Sequence, residues 1–119
     1  MLHQFRVVKA EASRGPFKVS TVAYNYGIHT EDGGDLLAFH WHPGINYELP
    51  HVHVGRGLGR LQRRAPHFHI PTGRLCLEEV LNFAIRELLV RPARDDWERV
   101  LETGQRAFED WRTWPQSNP

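Results

Sequence analysis

Apolar and polar positions alternate along the first two-thirds of the chain, and the period then lengthens to that of a helix. Phe5 to Ala12 (FRVVKAEA) is strand-compatible, and Ser13-Arg14-Gly15-Pro16 is a turn signal. Phe17 to His29 is a long β-type stretch with Val22, Tyr24, Tyr26 and Ile28 on one face. Glu31-Asp32-Gly33-Gly34 predicts a hairpin turn, because Asp-Gly supplies the positive φ such turns need. Asp35 to His42 is the next strand, ended by Pro43-Gly44. A short strand, His51 to Val54, follows Pro50. Gly55 to Pro66 (GRGLGRLQRRAP) predicts a mobile loop, and His67 to Ile70 a last short strand closed by Pro71.

Leu77, Val80, Leu81, Ala84, Ile85, Leu88 and Leu89 then recur at helical spacing. Cys76 and Glu79 take the N-cap and third positions of this helix, where a capping box has Ser/Thr and Glu. Pro92 follows its end. Asp95, with Glu98 three residues later, predicts the start of a second helix. Its apolar side is Trp97, Val100, Leu101, Phe108 and Trp111. Gly104 is expected to weaken its middle by ~1 kcal/mol relative to alanine, and the tail WPQSNP to fray. Together these elements predict an α+β fold, an antiparallel β-sheet packed on one face by two C-terminal α-helices. The 119 residues fit a single domain, strand-rich over 1–71, helical over 76–112, with a tail at 113–119.

Composition narrows the class. Hydrophobic residues make up 40% of the chain, enough for one core, and no run approaches the ~20 apolar residues that span a bilayer. The N-terminus lacks the apolar stretch of a secretory signal, and one cysteine rules out an internal disulfide. A cytoplasmic protein is expected, with no membrane association. The net charge of +1 is unevenly spread. Residues 1–74 hold nine Lys/Arg against five Asp/Glu, and residues 75–119 hold six against nine. All eight histidines lie in the basic part. Thirteen of the fifteen basic residues are arginine, which contacts phosphate in a planar, bidentate way.

Six of those histidines form three His-x-His pairs, His40-Trp41-His42, His51-Val52-His53 and His67-Phe68-His69. Side chains alternate across a strand, so each pair puts two imidazoles on one face and its apolar centre on the other. The simplest arrangement places the apolar set beneath the helices and the imidazoles on the opposite, more open face. Three chemistries fit. General acid–base catalysis suits imidazole, whose ordinary pKa of ~6.5 makes both protonation states available near neutrality. RNA cleavage needs a base for the 2′-hydroxyl, an acid for the leaving 5′-oxygen and a cation for the phosphorane. Arg56, Arg60, Arg63 and Arg64, between the second and third pairs, are candidate phosphate contacts. Tyr24 and Tyr26 could donate a hydrogen bond or stack on a base. Alternatively, paired imidazoles suit a Zn or Fe site drawn from His51, His53 and His69. The third possibility is structural, the ordinary reading for His3 and His29.

Gly55-Arg56-Gly57-Leu58-Gly59 lacks the Lys-Ser/Thr ending and the following helix of a nucleotide-binding P-loop. Cys76 at a helix start could favour a thiolate, but replacement of a capping serine is the simpler role.

Tyr24-x-Tyr26, Phe39-His40-x-His42-Pro43, Pro50-His51-x-His53, His69-Ile70-Pro71-Thr72-Gly73 and the Leu-Glu-Glu-Val helix start at Leu77 together resemble the TumE family of short bacterial toxin components. The resemblance covers roughly residues 20–90, and its most specific piece is the Pro-His-x-His run. It implies a toxin in a two-gene module, with RNA cleavage as the activity and an antitoxin protein as the partner. The long arginine-rich loop, the extra pair His67/His69 and the longer second helix depart from that pattern.

The combined expectation is a metal-independent ribonuclease that leaves a 2′,3′-cyclic phosphate and uses no cofactor. His51 and His53 would be the acid–base pair, with His69 or His42 as substitute. Arg56, Arg60, Arg63 and His40 would hold the substrate, and Tyr24 and Tyr26 would orient it. A homodimer is compatible with this expectation. The rival expectation is a non-enzymatic binding or regulatory partner in such a module.

Overall fold

A computed structural model describes residues 1–10, 15–44, 47–55 and 70–112. The chain divides into two compact units, Met1–Gly73 and Arg74–Pro119. The boundary falls where the hydrophobic period changes. All described strands lie before it and both described helices after it, an α+β arrangement.

Among the described residues, the first unit is a five-stranded antiparallel sheet with neighbours in chain order, β1(Leu2–Lys9), β2(Phe17–His29), β3(Asp35–Trp41), β4(His51–Val54), β5(Ile70–Pro71). The Asp32-Gly33 turn forms as expected: Gly33 has φ 85°, and its N–H donates to the Thr30 carbonyl at 2.9 Å. The Thr30 hydroxyl donates to the Asp32 carboxylate, and this bond together with the Gly34 N–H lowers the Asp32 pKa. β1 begins earlier than the sequence predicts, at Leu2, because its eight residues pair with β2. Pro71 sits on the outermost strand, where its missing N–H leaves no ladder bond unmade. The expected strand residues 67–69, the turn residues Ser13 and Arg14, and the tail from 113 lie outside the described residues.

Register divides the sheet into two chemically different faces. Tyr24 opposes Trp41, Tyr26 opposes Phe39, and Phe39 opposes Val52. These five side chains share one face, and all are buried. The Tyr24 and Tyr26 rings stack in parallel with centroids 4.8 Å apart, and Trp41 tilts against Tyr24 at 5.9 Å. Aromatic burial of this kind contributes more than area alone, by ~0.5–1.5 kcal/mol per ring pair. The other face carries Asn25 opposite His40, His40 opposite His51, and Ala38 opposite His53.

Beyond β4, the Gly55 N–H donates to the Leu36 carbonyl at 2.7 Å. A Cβ built on Gly55 would lie 1.8 Å from the Asp35 carbonyl oxygen. Only glycine allows this approach, since the obstructing atom is backbone. Gly55→Ala is therefore expected to push β3 away from the end of β4. The predicted loss is about 1–3 kcal/mol, read as a lower midpoint in denaturant unfolding.

In the second unit, α1(Leu77–Arg86) starts at Cys76, whose N–H donates to the Glu79 carboxylate at 2.8 Å. Val80 and Ala84 are its buried positions. The helix stops at Arg86, short of the periodic Leu88 and Leu89. Leu89 takes φ 57°, a left-handed conformation that no helix continues through, and the Val90 N–H donates to the Ala84 carbonyl at 3.1 Å.

α2(Trp97–Trp111) is capped by Asp96 and not by the expected Asp95. The Asp96 side chain makes no capping bond. Its oxygens accept from Arg94 and Arg99, which hold its carboxyl down to about 2. Gly104 faces α1: a Cβ there would lie 2.5 Å from Glu78 Oε1. Its helix-weakening effect is thus offset by close approach of the two helices, which Arg86 also bridges, 3.3 Å from Glu98 and 5.1 Å over the Trp97 ring. No helix among the described residues is long and apolar enough to cross a membrane.

Candidate histidine site

β3 and β4 are neighbours in the sheet, and their pairing brings histidines from two separate sequence motifs together. His40 and His51 sit directly across from one another, and His53 lies two residues further along β4 on the same face. The His40 and His53 ring centroids are 4.6 Å apart, His51 and His53 4.7 Å, and His40 and His51 5.7 Å. One nitrogen from each of the three rings lies within 4.8 Å of the others. His51 is buried, only 4% exposed, and His40 and His53 are half-buried. The imidazole face is therefore less open around His51 than alternation alone predicts.

Two hydrogen bonds define the chemistry. The His51 Nδ1–H donates to the Leu49 carbonyl at 2.7 Å. A carbonyl oxygen only accepts, so Nδ1 carries the proton and a neutral His51 presents the lone pair of Nε2. That Nε2 lies 3.0 Å from His53 Nε2. In the neutral pair, His53 Nε2–H donates to His51. One proton thus stands between two imidazoles carried by the same strand, β4.

A cavity of about 520 Å³ opens on the same face beside His40 and His53. Its lining includes Gly27 and Ala38, which face each other across β2 and β3, together with Asn25 and Gly55. The His29 ring lies over Gly27 in this lining, and a Cβ on Gly27 would come within 2.8 Å of its Nε2. Volumes of 300–1,000 Å³ are typical of sites for small organic groups.

The expected site residues fall into three groups. His40, His51 and His53 converge. His42 stands next to His40, with ring centroids 5.7 Å apart, but outside the convergent trio. Tyr24 and Tyr26, expected to orient substrate, occupy the opposite, buried face. Tyr24 opposes Trp41, the apolar centre of its pair, and so falls out of phase with His40 and His42. Arg56, Arg60, Arg63, Arg64, His67 and His69 lie outside the described residues.

The remaining described histidines have structural partners. His3 contacts Thr21 Oγ1 at 2.9 Å and the Tyr26 hydroxyl at 3.4 Å, and His29 pairs with Asp35 at 2.9 Å. The residues that sequence reasoning missed are Asn25, Gly27, Ala38, Tyr47 and the Leu49 carbonyl. Tyr47 sets its ring edge-on against His51 at 4.7 Å. It lies off the regular strands, so no period marks it, and a backbone carbonyl has no sequence signature at all.

Cys76 is buried at the start of α1. Burial pushes its thiol up to about 12, so the reactive thiolate is scarce at neutral pH. Iodoacetamide at pH 8 is expected to alkylate the native protein at least ~100-fold more slowly than the urea-unfolded chain, followed by mass spectrometry.

A scan against protein-family models, a search of curated proteins and a search of solved structures each find no match for this chain.

Proposed function

We propose that the protein is a metal-independent ribonuclease, the toxin of a toxin–antitoxin module, with His51 and His53 as its acid–base pair. The observation that carries the proposal is the 3.0 Å approach of the two Nε2 atoms, with His51 held in one tautomer by Leu49. RNA in the neighbouring cavity replaces the hydrogen bond between the two rings. His51 Nε2 takes the 2′-hydroxyl proton as the 2′-oxygen attacks phosphorus. His53, protonated, gives its proton to the departing 5′-oxygen, leaving a 2′,3′-cyclic phosphate. The Leu49 carbonyl steadies the imidazolium that forms on His51. His40 contacts the phosphate as a third donor. Arg56, the residue after Gly55 in sequence, supplies charge to the phosphorane with Arg60 and Arg63. The substrate class follows from this acid–base chemistry, the arginine-rich segment and the resemblance to TumE toxins. The same resemblance supplies the antitoxin partner, and the single cysteine favours a reducing, cytoplasmic setting.

Purified protein incubated with RNA, with and without EDTA, tests the proposal. Cleavage unaffected by the chelator is expected, together with growth arrest when the chain is expressed without an antitoxin. Activity abolished by EDTA and restored by Zn²⁺ or Mn²⁺ would replace this mechanism with a metal-dependent one. Absence of both cleavage and growth arrest would favour a binding protein.

A further inference from the structure

We infer that His40, His51 and His53 form a binding site for one zinc-class divalent ion, and that the ion switches the proposed ribonuclease off. The inhibitory half rests on the ribonuclease reading; the site itself does not.

The geometry is that of a three-histidine site. One nitrogen from each ring lies within 4.8 Å of the other two, and the His51 and His53 Nε2 atoms are 3.0 Å apart. Zinc binds imidazole nitrogen at ~2.0–2.1 Å, which places two ligands of a tetrahedral ion roughly 3.3 Å from each other. Small side-chain rotations therefore admit an ion. The donors come from two hydrogen-bonded strands, so the backbone is already ordered. His51 also has the outer-shell bond typical of ligating histidines, Nδ1–H to a backbone carbonyl, which aims Nε2 at the ion. The donor set is entirely imidazole. That selects zinc, cobalt or nickel over calcium or magnesium, which prefer carboxylate oxygen. Three ligands leave a fourth position for water.

Inhibition follows from the lone pairs. An ion on His51 Nε2 occupies the electrons needed to accept the 2′-hydroxyl proton, and an ion on His53 Nε2 displaces the proton needed by the leaving group. His40 has no part in the proton transfers but contacts the phosphate in the proposed mechanism, so the loss of metal is read directly as zinc affinity.

The test uses the full chain, stripped of metal, titrated with Zn²⁺ by calorimetry and with Co²⁺ by visible absorption. One ion per chain is expected, with a tetrahedral cobalt spectrum. His40→Ala should weaken Zn²⁺ binding by at least ~100-fold and raise the half-inhibitory zinc concentration by a similar factor, each rate being taken relative to the same variant's zinc-free cleavage. His3→Ala, which removes an exposed histidine bonded to Thr21 and outside the cavity lining, should leave zinc affinity unchanged. Circular dichroism confirms that both variants fold. Absence of stoichiometric binding, or equal affinity in His40→Ala, would overturn the site. Zinc that binds at the trio but accelerates cleavage would overturn inhibition and the metal-independent mechanism together, while keeping the site. Tight binding at the trio by a chain that never cleaves RNA would sustain the site and remove the ribonuclease.

Discussion

His51→Ala is expected to lower the rate of RNA cleavage by about 10²–10⁴-fold, the usual contribution of a positioned acid or base. The loss should fall on kcat, with KM nearly unchanged, because the cavity walls that hold substrate remain. His51 is buried, and its Nδ1–H satisfies the Leu49 carbonyl. Its removal therefore also costs stability, about 1–3 kcal/mol for the unpaired acceptor. Unfolding midpoints separate the two effects. His53→Ala, at a half-buried position, supplies the second variant, with a comparable loss of rate and a smaller change in stability. If both variants fold and cleave RNA like wild type, the pair has no catalytic role.

The second large effect is on the other face of the sheet. Tyr24 is 1% exposed, stacked on Tyr26 and packed against Trp41. Tyr24→Ala should cost about 3–5 kcal/mol, as for other large-to-small aromatic core substitutions. That is a large fraction of the stability of a small protein. Tyr24→Phe keeps the ring and should retain both fold and cleavage rate. Denaturant unfolding with a parallel cleavage assay checks both. A well-folded Tyr24→Ala with lost cleavage would return this tyrosine to the substrate site and contradict its place in the core.

Much of the fold is legible in the alternation of side chains. His40 and His42 flank Trp41, and His51 and His53 flank Val52, so the two motifs by themselves divide the strands into an imidazole face and an apolar face. Strand order is not legible in this way. His40 meets His51 only because β3 and β4 are neighbours in the sheet, and nothing local in either motif encodes that adjacency. The same missing register misplaces Tyr24 and Tyr26: whether a tyrosine opposes Trp41 or His40 turns on a shift of one residue. Helix ends depart from expectation for local reasons. The apolar period runs through Leu89, but the backbone turns left-handed there, and Asp96 is claimed by two arginines that a spacing rule does not see.

At the site, sequence reasoning finds the donors and misses what holds them. The Leu49 carbonyl fixes the His51 tautomer, and Gly55, in the cavity lining, approaches the Asp35 backbone as no residue with a Cβ can. Each works through backbone or through absence of a side chain, so composition carries no trace of it.

An oligonucleotide with one ribose among deoxyriboses, incubated with metal-stripped protein, tests the acid–base mechanism most directly. Mass spectrometry of the product ends gives the outcome. Cleavage only at the ribose, ending in a 2′,3′-cyclic phosphate and a 5′-hydroxyl, is predicted. Products with 5′-phosphate and 3′-hydroxyl ends, or an intact strand, would contradict it.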